Sequence, residues 1–166
     1  MCLNKAKIIQ TENDIVCYKV LIKTISGNLV SPYYPICWEV GKEQVDYRNL
    51  NWWFETELGE YYYKDNFIPD NEEDTLNINE GVFHTFKNKD DATAIANTLL
   101  LNSYTSGSAV YECVIPAESE FKAEGKFLVS NGGYVDAYGS NRLKLIKKIA
   151  QVNGKENCIK SFNYFI

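Results

Sequence analysis

The chain has 166 residues, of which 45% are hydrophobic and 23% are charged. These values are typical of one soluble globular domain, which we expect to span residues 1–166, and they exclude collagen-like and disordered chains. No apolar run approaches the roughly 20 residues of a membrane-spanning helix, so no membrane partner is expected. The net charge of −5 argues against duplex nucleic acid as a partner, because binding to phosphates requires a basic surplus.

The first half of the chain is predicted to hold two strands and a long irregular stretch. Residues 14–22 are rich in β-branched side chains, which favours a strand with one face in the core. The loop at 31–35 contains two prolines, which remove backbone donors and favour extended geometry, and a short strand follows at 36–40. Residues 42–81 are rich in acids, asparagine and isolated aromatics, and we interpret them as a long loop with short strands, for example at 61–64.

One helix is predicted in the second half. Two adjacent aspartates are followed by apolar residues at helical spacing, which indicates a helix near 90–102 with acids at the positive end of its dipole. Strands are expected on either side of this helix, at 81–86 and at 109–115. Pro116 ends the second of them.

Turns and strands follow toward the C-terminus. A hairpin is predicted around Gly125 and a turn at 131–133. Residues 142–152 fit both helical and strand spacing; we favour a strand, with which the tail at 158–166 is expected to pair. Together these elements predict one α+β domain of mostly antiparallel strands with a single clear helix.

Aromatic residues form 14% of the chain and include neighbouring pairs such as Tyr33-Tyr34. Neighbours on a strand point to opposite faces, so one member of such a pair is available for packing, for an oligomer interface or for stacking on a ligand. Charge is also unevenly spread, with acids concentrated in 55–80 and bases in 142–160. These are either two solvated surfaces or an acidic docking face and a basic anion-binding face.

The cysteines indicate a reducing compartment and argue against a metal site. No two of the five have the close spacing of a zinc knuckle, and a single histidine cannot complete the usual zinc ligand sets. Cys17 and Cys113 fall in apolar strand patterns, where a free thiol acts as a small buried hydrophobe. We therefore expect a reducing, cytoplasmic location, no metal and no cofactor.

No catalytic residue is assigned from the sequence. His84 is the only histidine and lies in a predicted strand, where it is either a hydrogen-bonded structural group or part of a pocket. The turn at Asn131-Gly132-Gly133 lacks the lysine and serine of a phosphate-binding P-loop. The serines lack the spacing of a nucleophile elbow, and the carboxylates lack that of a catalytic pair.

Six segments in a constant order carry a resemblance to known proteins. They are Cys17-Tyr18-Lys19-Val20-Leu21, Ser31-Pro32-Tyr33, Trp38-Glu39-Val40-Gly41-Lys42, Gly81-Val82-Phe83-His84-Thr85-Phe86, Val114-Ile115-Pro116-Ala117-Glu118-Ser119 and Ala137-Tyr138-Gly139-Ser140-Asn141-Arg142-Leu143. Over most of its length the chain resembles a group of small uncharacterised proteins encoded in bacterial and bacteriophage genomes. The resemblance implies a phage or mobile-element setting, and with it the cytoplasm of the host.

A second resemblance is to the ADP-ribosyltransferase-like fold, in which an early strand carries a Tyr-Arg or Tyr-His pair that grips NAD. Tyr18-Lys19, His84-Thr85 and the 138–143 segment follow the order of its motifs. Lys19 stands where that family has Arg or His, and 138–143 contains no glutamate to stabilise an oxocarbenium ion. The resemblance therefore implies a nucleotide site without the transferase chemistry.

Three hypotheses follow from these observations. The first is a non-catalytic accessory protein that sequesters a small nucleotide-like ligand or binds a host protein. The second is an ADP-ribosyltransferase-like enzyme that uses NAD, and the third is a structural protein that forms a homo-oligomer through its aromatic pairs. We favour the first. Its expected ligand-binding residues are Tyr18, Lys19, His84, Thr85, Tyr138, Ser140 and Arg142.

Overall fold

The chain is organised around one large antiparallel sheet. The structure, a computed structural model, describes residues 2–34, 36–55, 61–65, 75–99 and 101–154. Thirteen strands of this part join in one sheet, which curls into a half-barrel, and one ten-residue helix packs against it. No helix of these residues is long and apolar enough to cross a membrane.

The elements are numbered in chain order. They are β1 (Leu3–Ile8), β2 (Ile15–Thr24), β3 (Leu29–Val30), β4 (Cys37–Trp38), β5 (Glu43–Val45), β6 (Asn51–Glu55), β7 (Tyr61–Asp65), β8 (Thr75–Glu80), β9 (Phe83–Phe86), α1 (Lys89–Thr98), β10 (Thr105–Ile115), β11 (Lys122–Leu128), β12 (Tyr134–Ser140) and β13 (Arg142–Gly154). In space the strands follow the order β5, β13, β10, β2, β9, β12, β11, β1, β8, β6 and β7, and β3 and β4 attach beside β2. β2 therefore lies between β10 on one side and β9 and β3 on the other.

Strand β2 is buried on both faces in its central part. Val20 joins an apolar cluster that α1 completes with Ile95, and the next residue, Leu21, joins a second cluster around Trp38. Burial of a Val or Leu side chain stabilises the fold by about 1.5–3 kcal/mol, so both clusters contribute to holding this strand in place. The sequence predicts one core face for residues 14–22, whereas β2 buries side chains on both of its faces.

The predicted α+β class is wrong, because the fold is nearly all β with one short helix. The error arises from residues 42–81, which are predicted to be a long loop with short strands; the strand expected at 61–64 is confirmed as β7. This stretch supplies β5, β6, β7 and β8, and β6 pairs with β7 on one side and with β8 on the other. These strands depend on long-range pairing and on burial of side chains such as Trp52, which local composition does not reveal.

The predicted helix near 90–102 corresponds to α1, which is shorter. It ends at Thr98, because Leu99 adopts extended backbone with a ψ angle of 127°. Residues 142–152 belong to β13, in agreement with the strand favoured from the sequence. The predicted pairing of the tail at 158–166 lies outside the described residues.

The hairpin predicted around Gly125 is wrong, since this residue lies inside β11. A Cβ at this position would meet the Asn4 carbonyl oxygen at 2.8 Å and the Ala6 Cα at 3.0 Å on the neighbouring β1. The glycine therefore permits a close approach of two strands rather than a turn. The turn predicted at 131–133 is present between β11 and β12, and Gly132 adopts a φ of +84° there.

Candidate ligand-binding site

A split in the sheet creates the candidate site. β2 pairs with β9 through Tyr18 and Phe86, and from Ile22 onward the same edge of β2 pairs with β3 instead. Between these two points no described strand adjoins that edge. A cavity of about 240 Å³ opens in the gap, and the loop between β3 and β4 forms part of its wall.

Four parts of the chain line this cavity. They are β2, the β3–β4 loop, the end of β8 together with β9, and Arg48 in the connection between β5 and β6. The walls combine apolar side chains such as Val20, Ile36 and Phe86 with a small number of polar groups. This combination is the usual composition of a small-molecule site, in which the polar groups fix the orientation of the ligand.

Lys19 bridges the two separating strands. Its Nζ donates a hydrogen bond of 2.9 Å to the backbone carbonyl of His84 and lies 4.9 Å from the centroid of the Trp38 ring. If the ladder continued from the pair of Tyr18 and Phe86, the backbone of Val20 would lie opposite His84. The split leaves the His84 carbonyl without a strand partner on this side, and the Lys19 ammonium donates the hydrogen bond that this carbonyl accepts.

The charge of Lys19 has no carboxylate partner within the described part of the chain. The residue is only 6% exposed, and burial lowers the pKa of its ammonium to about 8, while the nearby Cys113 and Cys17 thiols act in the opposite direction. At neutral pH the group is therefore still mostly protonated. An isolated buried charge is costly unless a counter-charge meets it, so this cation is a candidate for contact with an anion.

His84 contributes a neutral imidazole to the same cavity. The residue is 7% exposed, and its Nε2 has no hydrogen-bond partner among the residues described. Burial, together with nearby positive charges that include Lys19 and Arg48, lowers its pKa to about 3, although a hydrogen bond with the backbone of Ile78 acts in the opposite direction. The imidazole is therefore uncharged at physiological pH, and its Nε2 is buried without a hydrogen-bond partner among the described residues.

Arg48 and two tyrosines lie on the more exposed side of the cavity. The Cζ of Arg48 is 4.2 Å from the centroid of the Tyr34 ring, and its Nε donates to both carboxylate oxygens of Asp46, at 3.0 and 3.1 Å. This ion pair neutralises Arg48 and fixes its guanidinium plane. Tyr33 and Tyr34 are about half exposed, so their rings are accessible to a ligand that enters from solvent.

Two of the seven residues predicted to bind ligand, Lys19 and His84, line this cavity. Tyr18 is partly buried and packs against the cluster that contains α1. Thr85 is fully buried and lies opposite Tyr138 in the ladder between β9 and β12. Tyr138 belongs to the second apolar cluster, and none of these three residues lines the cavity.

The remaining two predicted residues also lie elsewhere. Ser140 is buried, and its Oγ donates a hydrogen bond of 2.6 Å to the backbone carbonyl of Arg142. The Arg142 guanidinium lies 3.3 Å from a carboxylate oxygen of Glu43 and 3.3 Å from one of Glu120. Carboxylates therefore balance its charge, in contrast to that of Lys19.

Several cavity residues are absent from the sequence-based set. Tyr33 and Tyr34 had a visible signal, because they form an aromatic pair within a proline-containing loop. Arg48 and Glu80 had none, because both fall in the stretch whose composition indicates a loop. Only the pairing of β8 and the position of the β5–β6 connection bring these two side chains to the cavity.

The geometry of this cavity is the basis for assigning a function. Within the described ranges, no group of three or more His, Cys, Asp or Glu side chains could hold a metal ion. Comparison of the chain with protein-family models, with curated proteins and with solved structures finds no match.

Proposed function

We propose that this chain is a non-catalytic accessory protein, from a phage or mobile-element setting, that binds and sequesters a small nucleotide-like ligand in the cavity beside Lys19. The observation that carries the proposal is the buried Lys19 ammonium, which lines the cavity and has no carboxylate partner among the described residues. An anionic group of a ligand would supply the missing counter-charge. In a water-poor wall such a contact is stronger than at the surface.

The other walls suit the base of a nucleotide. Tyr33 and Tyr34 offer half-exposed aromatic faces, and Pro32 and Val82 offer apolar contact. Stacking of a base on an aromatic side chain contributes about 1–3 kcal/mol per base. An anionic ligand with a flat aromatic part therefore matches both kinds of wall.

The size of the cavity favours a single nucleotide. Its volume of about 240 Å³ lies just below the range of roughly 300–1,000 Å³ that is usual for ligand sites. NAD contains two nucleotides and would extend well beyond this space. We therefore place the NAD-using enzyme second and include NAD in the test.

A ligand panel tests the proposal. Thermal shift and calorimetry on the full chain would compare 5′-mononucleotides, cyclic mononucleotides, NAD and inorganic phosphate. The variant Lys19→Met removes the unpaired charge, and Lys144→Met is its matched control, because Lys144 is exposed on β13 and does not line the cavity. At a ligand concentration of about 100 times Kd, binding stabilises the protein by about 2.7 kcal/mol.

We expect a mononucleotide to raise the melting temperature of the wild type and of Lys144→Met, and not that of Lys19→Met. Absence of any shift with every mononucleotide would contradict the proposal, as would equal binding by Lys19→Met. Cleavage of labelled NAD by the wild type would favour the enzyme instead. Sedimentation of the free chain tests the homo-oligomer, and capture from host lysate tests a host-protein partner.

The compartment is part of the same proposal. Cys2, Cys17, Cys37 and Cys113 are free thiols in the structure. Free thiols are typical of a reducing compartment, which supports a location in the cytoplasm, that of the host if the gene is carried by a phage. Cell fractionation of a host that expresses the chain would test this point.

A further inference from the structure

A second cavity lies on one face of the sheet, where β10 runs between β2 and β13. Cross-strand partners project from the same face, and on this face Lys23 of β2 is paired with Gly107 of β10. Tyr111 of β10 is paired with Lys148 of β13. Between these pairs β10 carries only Ala109, so small residues in the middle strand leave a depression of about 200 Å³ between longer side chains. This depression, called the basin below, shares no described lining residue with the candidate site above.

The charged residues that line the basin are Lys23 and Lys148, and no described Asp or Glu lines it. Neither lysine forms an ion pair with a carboxylate in the part of the chain that the structure describes. The neighbouring Lys147 differs, because a carboxylate oxygen of Glu112 lies 3.9 Å from its Nζ. Among the bases of 142–160, Lys148 therefore combines a place in a cavity with a charge that no described acid balances. The basin is thus locally positive, although the net charge of the chain is −5.

Tyr111 adds a hydroxyl group to the basin. The residue is only 7% exposed, yet it belongs to the lining. Its hydroxyl makes no hydrogen bond to the described residues and is not fully buried. The polar tip of this nearly buried side chain is therefore the part that meets the basin. Burial raises the pKa of Tyr111, so the hydroxyl keeps its proton at neutral pH and can donate it to a ligand.

Gln151 orients one of the two ammonium groups. Its Nε2 donates a hydrogen bond of 3.0 Å to the backbone carbonyl of Ser108, which fixes the amide. Its Oε1 accepts a hydrogen bond of 3.4 Å from the Nζ of Lys148. Because the amide is neutral, it positions the ammonium without cancelling its charge. The remaining N–H donors of Lys148 stay available for a ligand.

We propose that the basin is a second binding site and that it takes a small phosphate ester, such as a sugar phosphate. A phosphate monoester carries a charge of about −1.5 to −2 at pH 7 and has strong acceptor oxygens, which match two ammonium groups and a hydroxyl donor. The volume suits a small ester, and the buried ring of Tyr111 offers no open face on which a base could stack. The inference goes beyond the proposed function and does not rest on it.

Calorimetry on the full chain tests the inference with ribose 5-phosphate as the probe and ribose as its uncharged control. Lys148→Gln removes one charge, and Lys144→Gln is its matched control, because Lys144 is exposed on the same strand and does not line the basin. We expect ribose 5-phosphate to bind the wild type and Lys144→Gln, and to bind Lys148→Gln about tenfold more weakly. No binding to the wild type, equal affinities for the three proteins, or equal binding of ribose would overturn the inference.

Tyr111→Phe separates a role in binding from a role in stability. The hydroxyl has no partner among the residues described, so its removal is expected to leave the melting temperature of the free chain nearly unchanged. We expect the affinity for ribose 5-phosphate to fall about tenfold, since the phosphate loses a hydrogen-bond donor. A clearly lower melting temperature, or an unchanged affinity, would overturn the assignment of this hydroxyl to the site.

Further measurements separate this inference from the proposed function. If Lys19→Met loses ribose 5-phosphate and Lys148→Gln keeps it, the phosphate binds beside Lys19, and the inference is overturned. The nucleotide panel is repeated on Lys148→Gln, so that the cavity beside Lys19 is tested without the basin. If that panel fails and ribose 5-phosphate still depends on Lys148, the proposed function is wrong and the basin stands. An oligothymidylate that binds more tightly than ribose 5-phosphate, and does so through Lys148, would assign the basin to a nucleic-acid backbone and overturn the small ester.

Discussion

The ammonium of Lys19 donates a hydrogen bond of 2.9 Å to the backbone carbonyl of His84 at the point where β2 and β9 separate. The lysine side chain here supplies a hydrogen bond that backbone pairing would supply in a continuous sheet. The arrangement satisfies the carbonyl but leaves a buried positive charge, whose cost to stability is acceptable if a ligand supplies the counter-charge. Stability and binding are therefore expected to oppose each other at this position.

The stability of the chain is expected to rise with pH in the range where Lys19 titrates. The unfolded chain keeps the proton up to the ordinary pKa of 10.5, whereas the folded chain releases it near its lowered pKa of about 8. The unfolded state thus binds more protons between these values, and the free energy of unfolding increases by up to about 3 kcal/mol across them. Urea unfolding of the wild type and of Lys19→Met over this pH range measures the increase. The variant lacks the contribution of Lys19, and the other titrating groups cancel in the difference between the two proteins.

Acid is expected to destabilise the chain through His84. The folded chain keeps the imidazole neutral until the pH approaches its pKa of about 3, whereas the unfolded chain binds a proton near the ordinary value of 6.5. Stability therefore falls as the pH is lowered through this window, by about 2–3 kcal/mol near pH 4.5. Urea unfolding of His84→Gln shows a smaller loss over the same range. Parallel curves for the two proteins would mean that the imidazole is protonated in the folded state.

The substitution Gly125→Ala is expected to destabilise the fold by about 2–4 kcal/mol, because the added Cβ meets backbone atoms of β1 that cannot move independently. The nearest is the Asn4 carbonyl oxygen at 2.8 Å. Gly132→Ala is the comparison, because it has open space but a φ of +84°, and a cost nearer about 1 kcal/mol is expected there. Thermal unfolding of both variants measures the difference. A smaller cost at position 125 than at 132 would indicate that β1 and β11 do not approach as closely as described.

Strands that have a local side-chain pattern could be predicted from the sequence. Strands that form only because they pair with residues distant in sequence could not. β2 and β10 show β-branched and alternating patterns, and these patterns predict both strands. β6 and β8 contain asparagines and acids that favour turns, and they become strands because they pair with each other over 20 or more residues of sequence. The predicted fold class is wrong because these strands have no local signal.

The candidate site could be predicted only in part, for the two residues Lys19 and His84 that lie on predicted strands. Lys19 but not Tyr18, and His84 but not Thr85, line the cavity. Strand alternation does not select these residues, because the neighbours Val20 and Phe83 also line it. Arg48 reaches the cavity through the β5–β6 connection, and no local pattern predicts this position.

Tyr34 is expected to contribute to ligand affinity and little to stability. Its ring is about half exposed, lines the cavity and stacks on the guanidinium of Arg48. Tyr34→Ala removes an aromatic surface worth about 1–3 kcal/mol to a stacked base, so we expect affinity for a mononucleotide to fall about tenfold or more, with melting temperature nearly unchanged. Tyr47→Ala is the matched control, because Tyr47 is 90% exposed and does not line the cavity. Calorimetry distinguishes the two variants: equal affinities for both would place the base away from Tyr34 and leave only the charge of Lys19 to hold the ligand.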